Sequence, residues 1–175
     1  QIPKILREGL RQYTLCIESG ITTVRDPGAF APMLHDNIKK IEKGELIGPR
    51  VVYCNSILNL NGSHPDIKAT DISMFADLVK PLIGMIPANF ETMDDLKEAL
   101  EENARGASFI KLTVDNKSVF CRSGNIPVYS DDHLREIFNY AEKHNLPVAC
   151  HHHRKWGFDR ITRYPIHSLE HMIGD

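Results

Sequence analysis

A chain of 175 residues, 42% hydrophobic and 25% charged, has the balance of a globular protein with a real core and not of a disordered segment. Its formal net charge of −2, with Lys and Arg scattered along the sequence, argues against nucleic acid or an acidic membrane surface as a partner. No apolar run approaches the roughly 18 residues of a membrane span, residues 1–11 lack a signal-peptide core, and Cys16, Cys54, Cys121 and Cys150 are widely spaced without CxxC pairing, so a cytoplasmic chain without a structural disulfide is expected.

The spacing of Ile5, Leu10 and Ile17, ended by Gly20, marks a first helix, and residues 21–24 form a short strand that stops at Asp26-Pro27-Gly28. A second helix over about 31–43 carries Leu34, Ile38 and Ile41 on one face and closes before Gly44. Residues 50–54 are the next strand. From 56 to 89, Asn-Gly, Pro and Asp punctuation predicts a long active-site loop with a short helix around 72–79. Thr92, followed by Asp94 and Asp95, caps a helix to about 104, and 109–114 is a strand. Ser130 caps a helix to about 143, where Asn145 serves as a left-handed stop. Residues 146–151 enter another strand, 156–163 a helix, and 166–171 the last strand. Five strands alternating with helices predict an α/β fold: one domain over 1–175, built as a partial TIM-type (β/α) barrel of parallel strands, since a complete barrel takes roughly 200 to 250 residues.

Lys111 sits in the middle of an otherwise apolar strand. The two-residue period places it with Phe109 and Thr113, while Ile110, Leu112 and Val114 face the other way. An enclosed lysine is unfavourable unless it is paired, neutralised or chemically altered, although a strand-end lysine can also reach solvent along its stem. His151, His152 and His153 end the following strand, where the same period sends His151 and His153 to one face and His152 to the other. Imidazole is the commonest zinc ligand, and barrel sites are built at strand C-terminal ends. His171 ends the next strand. A histidine cluster is singly more often surface polarity, but a lysine and two histidines at the ends of three successive strands form a pattern. His35, His133, His144 and His167 lack such a pattern and are expected to be solvated. Arg25 and Asp26 are expected to form a structural ion pair.

These segments resemble the imidazolonepropionase-like and prolidase-like branch of the amidohydrolase superfamily over nearly the whole chain. Residues 20–26 resemble its G-x-T-T-V-R-D strand and 44–51 its G-E-x-x-G-P-R-V segment. Gly62-Ser63-His64 is similar to its G-G-H loop, Ile110-Lys111 to its I-K strand, and Tyr129 through Leu134 to its Y-S-x-x-x-L helix start. His151 through His153 are similar to H-x-H, and Ser168 through His171 to S-I-E-H. The resemblance implies strands two to six of an eight-stranded barrel. It also implies a lysine, Lys111, carboxylated on its amine to bridge two divalent metals, with His151 and His171 as further metal ligands and His64 and His153 on the substrate side.

The implied reaction is hydrolysis of a peptide-like or cyclic amide by metal-activated water, on a small amide or dipeptide substrate. Zinc is the first expectation for the metal, with iron, manganese and nickel open. The family's first-strand H-x-H and last-strand Asp have no counterpart here, so one metal subsite at most and little activity are expected of the isolated chain. Arg154 in place of the usual Gly after H-x-H, and Tyr164-Pro165 in place of Ala-Gly, set the loop after His153 apart. The alternative expectation is a non-catalytic subunit or a self-associating scaffold, because open parallel-sheet edges and an uncovered lumen favour homo-oligomers.

Overall fold

The computed structural model describes residues 2–28, 31–65, 88–118 and 125–174. In chain order the elements are α1 (Ile2–Glu18), β1 (Thr23–Asp26), α2 (Ala31–Glu42), β2 (Arg50–Tyr53), β3 (Ile57–Leu60), β4 (Ala88–Phe90), α3 (Met93–Ala104), β5 (Ile110–Thr113), α4 (Asp131–Lys143), β6 (Val148–His151), α5 (Lys155–Ile161) and β7 (Ser168–Glu170). The helix expected at 72–79 and Cys121 lie outside the described residues.

Every strand pairing is parallel: β1 lies beside β2, and β4, β3, β5, β6 and β7 form a second sheet in that order. The two sheets follow one path, because the Ser108 N–H donates to the Tyr53 carbonyl at 2.8 Å and Ile57 stands in register with Lys111. Thus β2 and β3 together run along β5, with a break at 54–56. Asn103, from the end of α3, closes that break. Its Oδ1 accepts the Ser56 N–H and its Nδ2 donates to the Ser56 carbonyl, each at 2.8 Å, so backbone groups that lose their ladder partners are paired by a side-chain amide. All five expected strands are present, and β3 and β4 are two additional segments inside the region expected to be loop.

The alternation seen in the sequence becomes two different faces. Outward, Ile110, Leu112, Val114, Val148 and Cys150 join Leu96 and Leu100 of α3, Leu134 and Ile137 of α4 and Ile161 of α5 in the main core. Inward, Phe109, Ala149 and Cys54 form a smaller cluster below the site. The helices start where expected. Thr92 accepts the Asp95 N–H at 3.1 Å while Asp95 accepts from Thr92, and Ser130 accepts the His133 N–H at 3.1 Å. Asn145 takes φ 52° after α4, the left-handed stop its side chain tolerates. Among the described residues, Cys16, Cys54 and Cys150 are free thiols, and no helix is long and apolar enough to cross a membrane.

Candidate metal centre

Three neighbouring strands deliver the site. In register, Lys111 of β5 opposes Ala149 and Thr113 opposes His151 of β6, which opposes Glu170 of β7. Lys111 therefore lies one inward step below His151, and His171 follows directly after β7.

The rings of His151, His153 and His171 come together, each offering one nitrogen within 4.8 Å of the others. His151 stands edge-on to His153 and to His171, with centroids 4.6 Å apart in both cases, and His153 stacks on His171 at 4.9 Å. His171 reaches this position with φ 79°, an unfavourable backbone conformation for a residue with a Cβ and one that tends to occur at functional sites. His64 stacks on another side of His151 at 4.6 Å. His152 points the other way, 2% exposed and 5.7 Å from the Phe158 ring of α5, as the strand period requires.

The environment favours the neutral form of His151, His64 and His171. Burial, reinforced by His64 and Lys111, holds His151 far below its ordinary pKa, and burial with His153 and His171 nearby lowers His64 to about 4. Burial also lowers His171, although Glu170 opposes the shift. A neutral imidazole carries a free lone pair at physiological pH, the state in which it binds a metal. The Nε2 of His151 is buried and has no hydrogen-bond partner among the described residues. Buried polar atoms are rarely left so, and a divalent cation held with His153 and His171 would satisfy it. The donor set fits the group that the sequence implies.

Lys111 is 3% exposed, and burial drops its pKa to about 8 against the pull of Glu170. Glu170 itself is pushed up by burial, but hydrogen bonds from Arg25 and Ser168 outweigh this and leave it below the usual carboxylate range. The Arg25 guanidinium pairs with Glu170, donates to Ser168 Oγ at 2.9 Å and lies 4.1 Å over the Phe109 ring. This replaces the simple Arg25–Asp26 pair expected from the sequence with a link from β1 to β7. An Asp26 carboxylate oxygen instead accepts the Gly28 N–H at 3.2 Å.

His64 is buried, its Nδ1 2.8 Å from Ser118 Oγ, and its carbonyl accepts the Thr113 hydroxyl. Asn59 secures the same loop from β3: its Oδ1 accepts Ser63 Oγ at 2.7 Å and its Nδ2 donates to Asn89 Oδ1 at 2.9 Å. Asn59, Glu170 and Asp115, whose carboxylate accepts the backbone N–H groups of His153 and Arg154, are site-building residues that sequence reasoning missed. For Glu170 the signal was present, since it lies inside the segment matched to S-I-E-H. Two of the other histidines, both half-buried, also make structural contacts: His35 bonds Asn55 Oδ1 at 2.8 Å, and the His133 ring nitrogen accepts the Ser130 N–H at 3.3 Å.

Among solved structures, a Xaa-Pro dipeptidase with bound methionine is 22% identical over 92% of this chain and 39% of its own, at a TM-score of 0.72. The ochratoxinase of A. niger is 22% identical over 93% of this chain and 39% of its own, at 0.74. A prolidase complexed with N-methylphosphonate-L-proline is 25% identical over 93% and 40%, at 0.73. The chain thus spans about two fifths of the length of these structures. None of the curated proteins matches its sequence. Residues 4–173 match the amidohydrolase family, and the chain belongs to that family.

Proposed function

We propose that this chain supplies part of the catalytic barrel of a metal-dependent amidohydrolase that cleaves a peptide-like or cyclic amide C–N bond in a small substrate, such as a dipeptide. Lys111, His151 and His171 hold a divalent metal, His153 stands at the edge of the same donor cluster, and His153 and His64 face the space where the scissile carbonyl is presented. The observation that carries this reading is the buried, neutral and unpaired Nε2 of His151 among converging imidazoles on the same inward face as Lys111. The relatives' names, a Xaa-Pro dipeptidase and a prolidase, support a dipeptide over other amides.

When bound, the metal supplies a water of lowered pKa and polarises the carbonyl. The protein's own groups prepare that site. His151 and His171 contribute lone pairs. Lys111, whose pKa near 8 leaves part of it as free amine, adds carbon dioxide in that form and releases one proton; with the proton already lost from the ammonium, two protons leave as an unfavourable buried cation becomes an anionic carbamate ligand. Arg25 holds Glu170 beside it, and Thr113 and Asn59 fix the His64 loop against β5. Imidazole and carboxylate donors suit zinc first, with iron, manganese and nickel as alternatives. Among the described residues the donors come together at one subsite, so little turnover is expected of them alone, and metal binding is the primary test.

Calorimetric titration with zinc is expected to give one site per chain, lost in His151→Ala and His171→Ala and weakened in Lys111→Ala. Absence of zinc binding, or binding indifferent to the two histidine changes, would refute the reading. Dipeptide and imidazolone hydrolysis measured on the zinc-loaded chain would refute the one-subsite limit if turnover appeared and vanished with Lys111→Ala.

A further inference from the structure

Beyond His151 the chain leaves β6, and sheet pairing no longer dictates where His153 points. The backbone around it is nevertheless clamped from two sides. Its N–H donates to Asp115 Oδ2 at 2.8 Å, the next N–H, of Arg154, donates to Asp115 Oδ1 at 3.1 Å, and the His153 carbonyl accepts the Gly174 N–H at 2.7 Å. Asp115 lies two residues past the end of β5 and is 5% exposed, so its carboxylate is committed to this turn. Helix α5 presses onto the same point. A Cβ on Gly157 would meet the Val114 carbonyl oxygen at 2.0 Å and Asp115 Oδ1 at 2.9 Å, so the close approach requires glycine there.

We infer that Asp115 is a positioning residue for the histidine rim: its two oxygens bracket the His153–Arg154 backbone and aim the His153 imidazole at His151 and His171. This rests on the proposal that the rim holds a metal, and it adds a requirement for affinity and geometry from a residue that touches neither metal nor substrate. An isosteric Asn offers one acceptor oxygen and one amide donor, so it can keep one of the two backbone bonds and must lose the other. Partners that orient ligands typically alter metal affinity by about 10–100-fold when changed.

Cobalt(II) titration followed by visible absorption tests this on the full chain, with Asp115→Asn and Asp115→Ala compared with wild type and with thermal unfolding recorded for each. Cobalt binding about 10-fold weaker in the Asn variant and about 100-fold weaker in the Ala variant, with an altered ligand-field spectrum, is expected. Folded variants that bind within twofold of wild type with an unchanged spectrum would overturn it. Imidazole resonances of the metal-free protein give a second readout that needs no cobalt. Those of His153 should move in Asp115→Asn, while those of His133, in the α4 cap, stay; an unmoved His153 ring would overturn the inference even if the wild type takes no cobalt, a result that would count separately against the metal reading.

Discussion

On their outward face β5 and β6 present Ile110, Leu112, Val148 and Cys150 to the helices, all at most 2% exposed and needing nothing but apolar neighbours. On their inward face the same strands carry Lys111, just as enclosed, and the half-buried His151 with its unpaired nitrogen. Burial stabilises the first set at about 25 cal/mol per Å² of apolar surface removed from water, whereas the second set is held in place against its own solvation. A single two-residue alternation therefore separates side chains that stabilise the fold from side chains that the fold must hold.

The largest effect should come from cutting the outward face. Leu112→Ala, at a fully buried position, is expected to lower stability by about 2–5 kcal/mol in a denaturant titration. Zinc affinity of the folded variant should stay that of wild type. A loss of zinc binding in step with stability would show that the two faces are not separable.

The inward face should respond in the opposite direction. Burial holds Lys111 at about 8 in the folded protein against 10.5 as the ordinary value, so between these pH values the unfolded chain binds more protons than the folded one. Stability must then rise with pH across that window: the penalty is full below about pH 8 and gone above about 10.5, and the gap between the two values corresponds to at most about 3 kcal/mol. Lys111→Met removes the titrating group. Denaturant midpoints of the metal-free variant are expected to exceed those of wild type at pH 7 and to lack this rise. A variant less stable than wild type at pH 7 would mean that the lysine is well paired and the inward face is not strained.

A third change tests where the alternation breaks. Asn103→Ala leaves the Ser56 N–H and carbonyl without the amide that pairs them, and a loss of about 1–3 kcal/mol is expected from thermal unfolding. Hydrogen exchange at Ser56 should accelerate in the variant before that of β5 does.

The two faces also differ in how far they could be read from the amino acids. In residues 109–114 a bulky apolar residue alternates with Phe, Lys or Thr, so period and direction were both visible, and the same held for the three histidines. Residues 57–60 were read as loop because Asn61-Gly62, Pro65 and Asp66 punctuate the chain just after them, and Asn59 is itself a residue that strands rarely place. It is tolerated because Ser63, Thr113 and Asn89 engage its amide, partners that only the fold brings near. Residues 88–90 offered three positions without a β-branched side chain, too short a signal for a strand. Asp115 carried no signal in the sequence, because the peptide it brackets lies 38 residues away. The opposite facing of His151 and His152 was legible through local periodicity and their metal role only through the resemblance to a family, whereas the residues that support the histidines were legible through nothing local.

The smallest expected effect concerns α4, which covers the outward face with Leu134, Ile137, Phe138 and Ala141. Its first turn is closed reciprocally by Ser130, which accepts the His133 N–H, and by His133, whose ring nitrogen accepts the Ser130 N–H where Glu or Gln more often serves. Ser130→Ala removes one of these bonds and should lower stability by about 1 kcal/mol. Because the cap touches the inward face only through the core between them, zinc affinity should not change. If this mild loss at the outer end of the helix did shift zinc binding, the histidine rim would depend on how tightly α4 closes over β5 and β6, and the division between a stabilising face and a functional one would have to be redrawn as one coupled unit.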